Sequence, residues 1–128
     1  MAARSPGTHL TVCIDDYGLH PGVNDAALAL AEMGRLHAIS CMVGAPHWLA
    51  GAPALLGLAG GDVDLGLHLD FTEYPLLASN RRPLLQLIAL TTARLLDRAA
   101  LRQEIEAQFD AFELGGAAVI EDVLECPR

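Results

Sequence analysis

The sequence predicts an α/β fold of the (β/α) barrel type, with parallel strands covered by helices. Two patterns carry that expectation. Short β-branched, apolar runs alternate with helical periodicities in the order β-α-β-α-β-α-α, and a chain wound that way lays its strands parallel in one sheet. The third run, "DVDLGLHLD", alternates cleanly: Val63, Leu65, Leu67 and Leu69 fall on one face and Asp64, Gly66, His68 and Asp70 on the other. An apolar face packs on helices, whereas a face of Asp, Gly, His and Asp looks into a wet interior such as a barrel lumen near an active site. The 128 residues, 52% hydrophobic and 19% charged, suffice for one globular domain with a real core.

Each element follows from local chemistry. Residues 9–15, "HLTVCID", form a short buried strand closed by the Asp-Asp-Tyr-Gly turn. A helix then starts at Pro21, carries Val23, Ala27, Leu30 and Met33 at helical spacing, and stops at Gly34. "HAISCMV", 37–43, is the second strand. A weaker helix follows, interrupted by Gly51 and Pro53 and ended by Gly60-Gly61. The third strand, 62–70, leads into a polar loop over 71–83. Two helices are expected over 84–96 and 98–114, the second with an apolar stripe of Leu101, Ile105, Phe109 and Phe112 and a Gly115-Gly116 cap.

Composition excludes some functions. A formal charge of −8, with eight arginines and no lysine, argues against nucleic acid as a partner, because phosphate neutralisation needs a basic face. The most apolar stretch, "PLLQLIALTTARLL", is too short and too interrupted for a membrane span. The start shows no apolar core of a secretory signal. Cys13, Cys41 and Cys126 are odd in number and widely spaced, which suits reduced thiols in a cytoplasmic protein, with Cys13 and Cys41 as small core residues.

The chemistry concentrates at two strand ends. Asp15 and Asp16 close the first strand, and His68 and Asp70 close the third. In parallel α/β folds these ends share one edge, where sites form. A carboxylate with a neutral imidazole suits Zn²⁺ or another divalent ion, and a second carboxylate can take a proton from water. Alternation would send Asp15 and Asp16 to opposite faces, so the chain must bend, and Gly18 is the expected enabler. Tyr17, Trp48 and Asp70 are weaker candidates for binding substrate, the two aromatics as sugar-stacking platforms, although a lone aromatic after a strand is more often packing. His9, His20, His37 and His47 are read as ordinary surface or strand-edge residues, although His20 and His47 follow strand ends and could lie near the same rim.

Three segments, "IDDYGLHPGVNDAALALAEMGRLHAISCMV", "DLGLHLDFTEYPLL" and "LRQEIEAQFDAF", resemble in this order the YdjC-like carbohydrate deacetylases, over residues 9–116. That family includes chitooligosaccharide deacetylases and a hopanoid-associated branch. The resemblance implies a (β/α) barrel that hydrolyses an N-acetyl group on an amino sugar with Mg²⁺ or Zn²⁺. By motif, Asp15 resembles the general base, Asp16 a metal ligand and His68 a second ligand.

One departure is large. The family's chain is about twice as long, and its third ligand lies in a His-x-His segment after the helix matching 98–114. Here that place reads "AAVIEDVLECPR", with no histidine after His68. The chain is therefore expected to supply the first half of a barrel, 9–116, with a divergent tail, 117–128. A shifted reading frame or premature stop would produce such a tail. The hypothesis fails if no frame of the downstream DNA encodes His-x-His and the remaining strands. An open half-barrel would expose strand edges and apolar faces to water, and is expected to be unstable alone, to aggregate, or to pair with a second copy or another half. Two other functions compete. A non-catalytic remnant or a sugar- or partner-binding subunit fits the missing ligand. A phosphoreceiver domain fits the length and the acidic residues, but it uses a late lysine that this chain lacks.

Overall fold

The structure, a computed structural model, describes residues 10–58 and 61–124, without the side chains of residue 56 and of 116–124. His9, Gly60, Cys126 and the end of the tail lie outside the described residues. The elements run β1 (Cys13–Tyr17), α1 (Pro21–Glu32), β2 (Ala38–Cys41), α2 (Trp48–Leu55), β3 (Asp64–Leu67), α3 (Leu84–Thr92) and α4 (Arg98–Leu124), with single 3-10 turns at Leu56–Leu58 and Ala78–Asn80.

The three strands form one parallel sheet in the order β1-β2-β3. Barrel closure is not seen among the described residues. The expected order of elements holds, with shorter strands and a first strand that runs through both aspartates. Ile39, Cys41, Leu65 and Leu67 on one sheet face meet Ala27 of α1, Trp48, Ala52 and Leu55 of α2, and Ala111 and Phe112 of α4. Ile39 alone, about 1% exposed, contributes roughly 1.5–3 kcal/mol through its burial. The opposite face carries Cys13, Asp15, Asp64 and Gly66, all exposed, with Ala38 and Ser40 half-buried between them.

Four expectations change. Cys13 is exposed on the open face, because strand alternation gives the inward place to Ile14; of these two thiols, Cys41 is the one in the core. The third helix stops at Thr92, where Ala93 caps it and Arg94 turns left-handed with φ 58°. The fourth does not end at Gly115. A Cβ there would stand 2.8 Å from Cζ2 of Trp48, so this glycine permits close approach to a buried indole instead of capping. The Trp48 and Phe112 rings stack there at 6.2 Å between centroids. Finally, Phe109 is half-exposed, and Glu104 and Gln108 take the buried face of α4.

Candidate functional site

The site grows from an irregularity in β1. Ile14 pairs with Ile39 and Tyr17 with Cys41, so three steps along β1 meet two along β2. The extra residue is a β-bulge. It lets Ile14 and Tyr17 both face the core although they are three apart, while Cys13 and Asp15 share the open face, Sγ to Oδ1 4.0 Å. Asp16 absorbs the bend in the left-handed region, φ 63°, which Asp tolerates better than most residues. Gly18 turns the chain next, at φ 103°, where a Cβ would meet the Met42 carbonyl at 3.0 Å. The bend therefore begins two residues earlier than glycine placement suggests.

Neighbouring groups hold the bulge in place. Buried Asn24 accepts the Gly18 N–H at 2.7 Å and donates to the His47 carbonyl at 3.3 Å. The His47 N–H donates to the Gly18 carbonyl at 2.8 Å, so β1 and the entry to α2 are tied together. Tyr17, fully buried, donates its hydroxyl to the Gly51 carbonyl at 2.8 Å, and burial together with the nearby Cys41 and Asp25 pushes its pKa up to about 12. Trp48 is only 3% exposed. Neither ring offers a stacking face, and the expectation that they receive a sugar gives way to their packing.

Asp16 and His68 come together across the sheet. The last ladder bond of β3 runs from the His68 N–H to the Cys41 carbonyl, 2.8 Å, and leaves the imidazole at the carboxyl edge. His68 Nδ1 stands 3.4 Å from Asp16 Oδ1, and the two side chains remain 32% and 46% exposed. That nitrogen is itself buried and has no hydrogen-bond partner. An unpartnered imidazole nitrogen facing a carboxylate oxygen is an arrangement that two cation ligands can adopt. Two N/O ligands each ~2.1 Å from a tetrahedral ion stand about 3.4 Å apart, so the separation fits a divalent metal. Among the described residues no cluster of three His, Cys, Asp or Glu could hold an ion. Asp15 lies beside this pair in sequence but on the open sheet face.

Asp70 does something different. Its carboxylate accepts the N–H groups of Thr72, Glu73 and Tyr74 and the Thr72 hydroxyl, at 2.6–3.1 Å, and so folds the loop after β3. Burial pushes this carboxyl up, but those bonds outweigh it and hold it below the usual range. Gln108 of α4 clasps the Asp70 peptide from both sides, accepting its N–H at 3.0 Å and donating to its carbonyl at 2.6 Å. Glu104, fully buried, accepts the N–H groups of Leu76 and Leu77, the Asn80 amide and the Gln108 amide. The same balance of burial against hydrogen bonds holds Glu104 low. A Cβ on Gly44 would overlap the Tyr74 carbonyl, so this loop also closes tightly over the end of β2. His68 is thereby fixed from two directions, by Cys41 before it and by the Gln108 clasp after it. Sequence reasoning missed Glu104, Gln108 and Asn24. The available signal was a Glu and a Gln four apart among the apolar positions of α4.

His20 caps α1 through Nδ1, accepting the Gly22 N–H at 3.0 Å, and His37 Nδ1 accepts the Val12 N–H at 3.1 Å. The His20 and His47 rings meet edge-on at 6.1 Å. No described helix is long and apolar enough to cross a membrane. No curated protein and no solved structure matches the chain. The family model described as YdjC-like protein matches residues 9–119, which include the bulge, His68 and the Glu104–Gln108 clasp; the chain belongs to the YdjC-like family.

Proposed function

We propose that this chain carries the metal-binding and general-base residues of a hydrolase that removes an N-acetyl group from an amino sugar. Membership of the YdjC-like family, a family of carbohydrate deacetylase-like function, supports the reaction class. The observation that carries the metal is the buried, unpartnered Nδ1 of His68 facing Asp16 Oδ1 at 3.4 Å. His68 and Asp16 hold Mg²⁺ or Zn²⁺, with water or a second chain completing the coordination. A divalent ion bound there supplies Lewis-acid polarisation of the amide carbonyl and a water of lowered pKa. Asp15 accepts a proton from the attacking water and returns it to the amide nitrogen as the C–N bond breaks, so that acetate and the amine leave. The open sheet face carries Asp15 and is exposed among the described residues, and it is the side from which a sugar approaches.

A second reading, a non-catalytic subunit that binds sugar or a partner, is favoured by one observation: no third candidate ligand joins Asp16 and His68 among the described residues. Calorimetric titration of the chain with Zn²⁺ and Mg²⁺, beside Asp16→Ala and His68→Ala, separates the two. Tight stoichiometric binding lost in both variants is the expected result. Heats no larger than those of the variants would leave only the non-catalytic reading.

A further inference from the structure

Helix α3 presents an unusual surface. None of its side chains is buried. Leu84, Leu85 and Ile88 are 59%, 80% and 51% exposed, and Leu95 just beyond the helix is 71% exposed. From Leu84 to Ala93 there is no charged residue. Large aliphatic side chains held this openly on one short helix exceed the scattered apolar exposure of an ordinary soluble surface.

The charges around this helix have one sign. Five of the chain's eight arginines, Arg81, Arg82, Arg94, Arg98 and Arg102, lie between residues 81 and 102, and Asp97 is the only acidic residue there. Elsewhere the protein is strongly acidic. Yet no pair between an arginine and a carboxylate occurs among the described residues. Arg81 lies just before the helix and Arg94 just after it, and both are exposed.

We infer that α3 is a docking surface for an anionic lipid bilayer, with its leucines and isoleucine entering the headgroup–acyl boundary and the flanking arginines meeting lipid phosphates. The combination selects the occupant. Exposed aliphatic groups call for an apolar phase, which nucleic acid lacks. A second copy seated on the same helix would set arginines against arginines, and like charges across an interface oppose it. A bilayer bearing phosphatidylglycerol offers acyl chains and negative charge together. This inference stands apart from the hydrolase reading, since none of its residues belongs to the metal pair.

The test is sedimentation of the full chain with vesicles of phosphatidylcholine alone and with about a quarter phosphatidylglycerol, at low salt and near ~0.5 M salt. Binding is expected only to the anionic vesicles, weakened by salt. Leu85→Glu with Ile88→Glu abolishes it, and Arg81→Ala or Arg94→Ala each weakens it by about fivefold. Because these side chains are exposed, circular dichroism of the variants is expected to match the parent. The inference is overturned if no vesicle binding occurs, or if the Leu85/Ile88 variant binds as well as the parent. It is also overturned if ultracentrifugation shows a dimer that this variant dissolves, which would make α3 a contact between copies.

Discussion

At the scale of residues, the candidate chemistry divides between two adjacent aspartates by backbone geometry. Asp16 occupies the left-handed position of the bulge and faces His68, whereas Asp15 remains in the alternation and lies on the open sheet face. This division predicts separable phenotypes. Asp15→Asn keeps Zn²⁺ binding and slows acetate release from N-acetylated chitooligosaccharides by about 10²–10⁴-fold. Loss of metal binding in Asp15→Asn would place Asp15 among the ligands instead. That Asp16 and His68 meet at one sheet edge was legible in the sequence, because chemistry-bearing residue types stood at strand ends. The position of the bend was not, since both Gly18 and Asp16 adopt positive φ and spacing alone does not rank them. The burial of Tyr17 and Trp48 was legible only as the commoner fate of an aromatic after a strand, not from any spacing in these residues.

At the scale of elements, α4 acts as a polar clamp as much as an apolar strut. Its buried face reads Leu101, Glu104, Ile105, Gln108, Ala111 and Phe112, and the two polar members hold the loop that follows β3. The apolar stripe inferred from sequence was rotated toward Phe109 because Glu and Gln are ordinarily assigned to the solvent face. Fully paired, both fit inside; unpaired, neither would. Glu104→Ala leaves two backbone N–H groups and two side-chain amides without their acceptor, and is expected to destabilise the fold by about 2–4 kcal/mol in a urea titration. The acid limb carries the same information. Asp70 and Glu104 are both held below their unfolded values, so their stabilisation is complete above the ordinary carboxylate range and is lost as pH falls through the depressed values. Melting temperature should stay level from neutral pH to about 5 and fall below about 4, less steeply in Glu104→Gln. An equal acid slope in the two proteins would show that Glu104 does not titrate in unfolding.

At the scale of the molecule, a three-stranded parallel sheet ends in two edges, β1 and β3, that pair with no further strand among the described residues. The order of elements, the parallel topology and the helix-covered face were all legible from periodicity. The sequence also led us to expect apolar faces open to water. The open sheet face is instead small and polar, and the exposed aliphatic residues lie away from it, on α3, near residues 10–12, at Leu49 and Leu114, and in the loop after β3. Unpaired edges are templates for pairing. Sedimentation velocity across a concentration series should therefore show reversible association that persists in the Leu85→Glu and Ile88→Glu variant. A monomer at every concentration would mean that the edges are blocked by means not visible in the sheet itself.

The bulge has a consequence for how such a protein drifts under mutation. It is one residue more than the ladder needs, and removing that residue would let Ile14 and Tyr17 face the core at ordinary two-residue spacing with no left-handed aspartate between them. Deletion of Asp16 is thus expected to leave the fold as stable as the parent or more so, while erasing the proposed cation ligand. A library of single-residue deletions sorted only for resistance to proteolysis should be enriched at this position, whereas one sorted for zinc retention should exclude it. Where those two sorts disagree, foldability and chemistry are under separate selection within a single turn of chain.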